Sequence, residues 1–296
     1  MNLSEIDMQK EFAEYQKLMP VKKLNISGRI FKYRYYKNPE AKATLVILAG
    51  GSGMADGFFI MAKKFIQSYS LLIFNYPMDF KNNNQTADAI AQLIKYLKAK
   101  NIYCWGQSYG GIIAQILAKR HPEAIQGLIL TSTASLSNDL SFEGMECFVN
   151  MLNEKKEQKR CQLYQSFPMP LLPAMMNLAF KKYLKDTPDA YEAVKTLMQC
   201  LKADMTKEYF CHMTSLLGDI RNHIGTHDKK DFAFLKQHVL IIEPDDDKTF
   251  TQDIKNALIN IMPEPEVICK PQGGHLGLLF HPDEFIQIIS DFINSR

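Results

Sequence analysis

Apolar residues along this chain repeat with two periods. From about residue 22 to 135, short runs rich in β-branched and aromatic residues alternate with stretches whose apolar positions recur every three or four residues. The runs predict strands over 29–36 (RIFKYRYY), 44–49, 71–75, 102–105 and 126–131, and the stretches predict helices over 57–69, 86–99 and 109–120. The centres LVIL and LLIF have no polar alternate positions, as expected of strands covered by helices on both faces. The alternation therefore predicts an α/β class with parallel strands joined by crossover helices.

After Ser132 the alternation stops. Residues 136–235 show only helical periodicity, a proline cluster at SFPMPLLPAMM, and eight of the fifteen methionines (Met145, Met151, Met169, Met175, Met176, Met198, Met205, Met213). Strand patterns resume at 238–244 (HVLIIEP) and 266–270 (EVICK), with helices expected over 250–261 and 281–293. The middle segment reads as a helical insertion at 136–235 into one α/β domain made of 1–135 and 236–296.

The strand IYCW runs into Gly106-Gln107-Ser108-Tyr109-Gly110-Gly111, and a helix begins near Tyr109. A serine exposed on a tight strand-to-helix turn needs a strained backbone, with small residues on either side because strand and helix approach closely there. Without that context the glycines would mark an ordinary turn with a solvated serine. A serine hydroxyl is a weak nucleophile until a base takes its proton. Of seven histidines, His275 lies in a glycine loop (GGHLG) between the last strand and the last helix, where it can reach the C-terminal edge of the sheet. The others have structural explanations. His121 and His281 precede prolines at helix ends, His238 opens a strand, and His212 lies in the insertion. His223 and His227 are four apart, a zinc-like spacing on a helix, but the intervening glycine and the lack of a nearby cysteine or glutamate read as a solvated loop. An orienting carboxylate is expected at another strand end, and Asp245-Asp246-Asp247 follows HVLIIEP there; one of the three would face His275 and the other two would be solvated.

These features together resemble the α/β-hydrolase superfamily over nearly the whole chain: strand succession, Gly-Gln-Ser-Tyr-Gly-Gly elbow, helical insertion after the strand ending near Thr131, acid after a strand, and terminal GGHLG. The resemblance implies an α/β-hydrolase fold with 136–235 as a cap, Ser108 as nucleophile, His275 as general base and Asp247 as the orienting acid, Pro244 standing where the family often has glycine. It also implies an oxyanion hole in the loop after TLVIL (Ala49-Gly50-Gly51-Ser52-Gly53), from the N–H of Gly51, or of Ser52 in its place, together with that of Tyr109. The family often carries His-Gly where this chain has Ala49-Gly50. Its dehalogenases and epoxide hydrolases place aspartate at the elbow, which Ser108 disfavours.

Composition narrows the field further. A formal charge of +3 gives no reason to expect a nucleic-acid or anionic-membrane partner. No apolar run reaches bilayer-spanning length, and the N-terminus lacks the apolar core of a signal peptide. Six dispersed cysteines without metal-like spacing predict free thiols and a cytoplasmic location. No P-loop occurs, and Asp56 breaks a dinucleotide fingerprint after Gly51-x-Gly53, so no cofactor is expected. The expected partner is a small-molecule substrate: a carboxylic ester or thioester with a modest apolar acyl group. The alternatives are a proline iminopeptidase-like amidase, which would need a cap acid such as Glu143, Glu146 or Asp204 for the substrate amine, and a non-catalytic ligand receptor on the same fold.

Overall fold

A computed structural model describes residues 6–166, 181 and 188–296. The apolar runs pair into one sheet formed by β1 (Val21–Ile26), β2 (Arg29–Tyr36), β3 (Thr44–Leu48), β4 (Ser70–Ile73), β5 (Ile102–Gln107), β6 (Gly127–Thr131), β7 (Val239–Ile242) and β8 (Glu266–Ile268), in the order β1-β2-β4-β3-β5-β6-β7-β8. From β4 to β8 every pairing is parallel, while β1–β2 and β2–β4 are antiparallel. β3, β4, β5, β6 and β7 are buried along their lengths. The strands lacking polar alternation are thus the ones covered on both faces.

Helices α2 (Phe59–Phe65), α3 (Asn83–Leu97) and α4 (Tyr109–Arg120) follow β3, β4 and β5 as the periodicity predicts. The Asn82 side chain caps α3 by accepting from the Gln85 N–H, so that helix begins three residues earlier than its apolar pattern. Two elements near the N-terminus were not expected. Helix α1 (Met8–Leu18) buries only Met8 and Tyr15, and edge strand β1 is exposed at Val21, Lys22, Lys23 and Asn25 and buries only Ile26; neither shows a complete apolar stripe. β1 turns into β2 through Ser27 and Gly28, both at positive φ, as two-residue hairpins require.

Between β6 and β7 the described residues are helical: α5 (Phe142–Met151), α6 (Glu154–Ser166), α7 (Pro188–Cys200) and α8 (Lys207–Asp219), with one isolated bridge between Ser137 and His227. Met198, Met205, Met213 and Phe148 are buried, and Tyr164 packs on Phe210 at 5.3 Å between ring centroids. Phe167, Met169, Met175, Met176, Phe180 and the proline cluster lie outside the described residues, as do the side chains of Phe142, Glu143 and Met151. Cys161 of α6 and Cys211 of α8 form a disulfide, which corrects the expectation of six free thiols. Residues 50 positions apart meet because α6 packs along α8, a contact that sequence spacing does not reveal. The chain closes with α9 (Gln252–Ile261) and α10 (Pro282–Asn294) around β8. Among the described residues no helix is long and apolar enough to cross a membrane.

Two buried contacts fix the sheet's C-terminal edge. Trp105 on β5 packs edge-on against Phe58 and Phe65, with centroids 5.3 and 5.8 Å away, and donates its indole N–H to Thr131 Oγ1 on β6 at 3.0 Å. The Arg34 guanidinium forks onto Asp56, with Nη2 2.8 Å from Oδ2 and Nε 2.9 Å from Oδ1, while Tyr15 donates to Asp56 Oδ1 at 2.8 Å and Arg34 Nη1 donates to the Met19 carbonyl. Both ions of that pair are buried, and the bidentate geometry with two further partners, the Tyr15 hydroxyl and the Met19 carbonyl, offsets their desolvation.

Candidate active site

Ser108 sits where β5 ends and α4 begins, at φ 52° and ψ −116°. A non-glycine residue in that conformation is strained by about 1–3 kcal/mol and persists only where its surroundings over-determine it. Those surroundings are close: a Cβ on Gly110 would lie 1.9 Å from the Leu48 carbonyl oxygen, and one on Gly106 would lie 2.3 Å from the Gly110 carbonyl oxygen. The Ser108 N–H donates to the Thr131 carbonyl at 2.9 Å, and Thr133 Oγ1 donates to the Ser108 carbonyl at 2.6 Å. The elbow is thereby clamped from β6, and its hydroxyl is left pointing outward.

His275 follows β8 in a short helical turn, Gly274–Leu276. Its Nε2 lies 3.0 Å from Ser108 Oγ, and its Nδ1 lies 2.9 Å from Asp247 Oδ2. The carboxylate accepts from Nδ1–H, which leaves Nε2 free to accept the serine proton. Asp247 has no exposed side-chain surface, and its Oδ1 accepts from the Thr249 N–H at 2.8 Å. Burial raises its proton affinity, but the hydrogen bond and charge of His275 and the Thr249 contacts outweigh burial and hold the carboxyl well below the usual range. Asp247 is thus anionic wherever His275 could act as a base.

The structure brings together Ser108, His275 and Asp247 and separates the three aspartates. Asp245 and Asp246 are exposed residues. Asp246 nevertheless has a structural task that corrects its reading as merely solvated: its Oδ2 accepts from the N–H groups of Gly273 and Gly274 at 2.9 and 3.0 Å, which fastens the loop carrying His275. Gln107, passed over in the sequence, donates from Nε2 to the His275 carbonyl at 3.3 Å and ties the elbow to the same loop. Its only sequence signal is its place next to Ser108.

Of the two N–H groups expected at an oxyanion hole, one belongs to the elbow itself and the other to the loop after β3. Tyr109 is the first residue of α4, so its N–H has no acceptor inside the helix. Its side chain runs into the core, where its hydroxyl donates to Asn83 Oδ1 at 2.7 Å. Gly51 and Ser52 line, with Ser108 and His275, a cavity of about 200 Å³. Its other walls are chiefly apolar: Met54 and Phe58 after β3, Val194, Leu197 and Met198 of α7, and Leu278 and Leu279 beyond the histidine loop.

The remaining histidines stay apart from this cluster. His227 stacks on Phe232 with ring centroids 5.7 Å apart and is only 2% exposed; His223 is also buried and faces Asp219 at 3.4 Å. The solvated loop expected for this pair is therefore a packed one, because the Ser137–His227 bridge and Phe232 enclose it. Among the described residues no group of three or more His, Cys, Asp or Glu side chains is arranged to hold a metal ion.

Similarity to known proteins agrees with this architecture. A family model described as the alpha/beta hydrolase fold matches residues 43–282. The structure superposes on a hydrolase from Pseudomonas aeruginosa with a TM-score of 0.70 at 15% identity, covering 93% of this chain and 98% of that one. It superposes on a thermophilic esterase from Thermogutta terrifontis with a TM-score of 0.69 at 13% identity, again covering 93% and 98%. In sequence it is 28% identical over 163 residues to a proline iminopeptidase of Lactobacillus acidophilus, covering 50% of this chain, so that it spans little more than half (56%) of that relative's length. On the match over residues 43–282, and with the sheet order and elbow described above, the chain belongs to the α/β-hydrolase fold family.

Proposed function

We propose that this protein is a serine hydrolase that cleaves a small, largely apolar carboxylic ester or thioester through an acyl-enzyme on Ser108. The observation that carries the reading is the relay from Ser108 Oγ to His275 Nε2 (3.0 Å) and from Nδ1 to Asp247 (2.9 Å) beside an apolar cavity. As Oγ attacks the substrate carbonyl carbon, its proton passes to Nε2 and the carbonyl π pair moves onto oxygen. The N–H groups of Gly51 and Tyr109 donate to that oxyanion. Collapse of the intermediate expels the alcohol or thiol, which takes the proton from His275, and water then repeats the sequence on the acyl-enzyme. Asp247 keeps the proton on Nδ1 throughout and balances the imidazolium.

Residues 136–235 act in this reading as a cap whose underside sets acyl preference. Helix α7 gives Val194, Leu197 and Met198 to the cavity wall, followed by Leu201. Apolar walls exclude water from the acyl-enzyme and favour apolar acyl groups.

Amide cleavage of the proline iminopeptidase kind is the second reading, favoured by the curated relatives. It would need a carboxylate to hold the substrate amine. Among the described residues lining the Ser108 cavity none is acidic, and Asp204 lines a separate cavity of about 440 Å³ with Arg34, Asp56 and Asn75. An uncharged acyl group therefore ranks first. The test is fluorophosphonate labelling followed by a panel of p-nitrophenyl esters and aminoacyl amides. Wild type should label at Ser108 and turn over short acyl esters fastest, and Ser108→Ala should lose labelling and several orders of magnitude of turnover. Undiminished ester turnover in Ser108→Ala would sink the assignment, and a preference for prolyl amides would favour the second reading.

A further inference from the structure

Behind Asp247 lies a second buried ion pair that the proposed chemistry does not use. Glu243 directly follows β7, its N–H bonded to the Ile268 carbonyl, and Lys255 lies in the first half of α9. Both are buried, at 5% and 7% exposure, and Lys255 Nζ lies 3.0 Å from Glu243 Oε1. The same ammonium donates to the main-chain carbonyl of Asp247 at 2.7 Å. It thus bridges the strand end and the turn that presents the carboxylate to His275. Glu243 Oε2 has no hydrogen-bond partner, and Oε1 meets the ammonium as an ion-pair contact without hydrogen-bond alignment.

This arrangement is not explained by stability. Each buried ion loses several kcal/mol of hydration, and apolar residues of similar volume often fill such a space with no loss of stability. The geometry points to a use at the active site: we propose that Lys255 is a positioning residue that holds the Asp247 turn against His275, with Glu243 balancing its charge. The proposal rests on the serine-hydrolase reading for its purpose. The groups alternate in sign from Glu243 through Lys255 and Asp247 to the imidazolium that forms at His275. Without Lys255, two carboxylates would face each other across the turn. Without Glu243, an unbalanced ammonium would stand behind Asp247 and oppose the imidazolium.

The groups facing Glu243 are Lys255 from α9, Asp247 from its own turn, His275 from the terminal loop and the Cys269 thiol just beyond β8. Burial pushes the Glu243 carboxyl up to about 7, against the pull of Lys255 and with Asp247 adding to the rise. The charge of Glu243 therefore depends on Lys255 beside it, which favours the anion against burial.

The test compares Lys255→Met, Glu243→Gln, the double variant and Lys255→Arg, each checked by thermal melting. Two readouts are used: ester turnover, and the titration of His275 followed by NMR of its ring protons. Lys255→Met should lower kcat about tenfold or more with KM little changed, because a small displacement of a catalytic group costs rate rather than binding. It should also raise the His275 titration midpoint, by removing a positive charge, whereas Glu243→Gln should lower it; shifts of about half a pH unit are expected for charges at this range in a partly buried site. The double variant should return the midpoint toward wild type but not restore kcat, since the Asp247 carbonyl still lacks its donor. Lys255→Arg should recover most of the rate. Midpoints unchanged in both single variants, or displaced in the same direction, would overturn the proposal, as would kcat within twofold of wild type in a folded Lys255→Met. The titration reads the pair whether or not an ester is cleaved. Opposite shifts with an unlabelled Ser108 would uphold the pair and remove the serine-hydrolase reading alone.

Discussion

Replacing Asp245, Asp246 and Asp247 one at a time by asparagine removes one charge from the same turn three times at nearly constant volume. Asp247→Asn loses the anionic acceptor 2.9 Å from His275 Nδ1 that, in the proposed mechanism, fixes the tautomer and balances the imidazolium. A loss of this kind costs on the order of 10⁴ in kcat, equivalent to about 5.5 kcal/mol of transition-state stabilisation. Asp246→Asn keeps an amide oxygen where Oδ2 accepted from Gly273 and Gly274, so two charge-assisted hydrogen bonds become neutral ones. The difference is about 1 kcal/mol for each bond before discounting for solvent, which puts the loosening of the His275 loop at roughly 3- to 30-fold in kcat/KM. The Asp245 residue is exposed, and its asparagine variant should stay within about twofold of wild type, as surface substitutions generally do. The assay is kcat/KM on a short p-nitrophenyl ester for all three variants, with melting curves to establish folding. Equal losses at the three positions, or a larger loss at Asp245 than at Asp247, would refute the reasoning.

Gly110→Ala would force a methyl group to within 1.9 Å of the Leu48 carbonyl, a backbone atom that cannot rotate away. It should cost about 1–3 kcal/mol of stability and on the order of 100-fold in kcat through displacement of the elbow; a wild-type melting point together with wild-type turnover would contradict this. His227 is held neutral, with burial, aided by the charge of Lys119, lowering its pKa to about 3. The unfolded chain binds a proton there below the ordinary value of 6.5 and the folded one does not, so stability should fall as pH drops from about 6.5 toward 3, by up to about 1.4 kcal/mol per pH unit. Urea unfolding between pH 7 and 4 should show a shallower slope in His227→Gln, and an unchanged slope would remove His227 from the acid response.

How much of this was legible in the sequence depends on how locally each feature is encoded. The buried parallel strands were readable because LVIL and LLIF have no polar alternate positions, and Ser108 was readable because an elbow demands small residues at fixed spacing around it. β1 and α1 were not, since an edge strand and a helix with two buried side chains lack a full apolar stripe. The separate placement of the three aspartates, the loop-fastening contact of Asp246 and the Cys161–Cys211 disulfide are products of long-range packing, which no local pattern records. Lys255 left a weak trace: it shares the buried face of α9 with Ile254, Leu258 and Ile261, an unusual place for an ammonium.

The Arg34–Asp56–Tyr15 cluster shows that the stretch recognisable by homology and the stretch needed for a working site are not the same. The family match begins at residue 43, whereas Asp56, three residues beyond Gly53 after β3, depends on Arg34 for its counter-ion and on Tyr15 for a hydrogen bond. A fragment trimmed to the matched region would leave the buried Asp56 carboxylate without its counter-ion Arg34, at a cost in stability. Tyr15 and Arg34, both ahead of the matched stretch, therefore hold Asp56 in place, and a comparison confined to residues 43–282 leaves that support out.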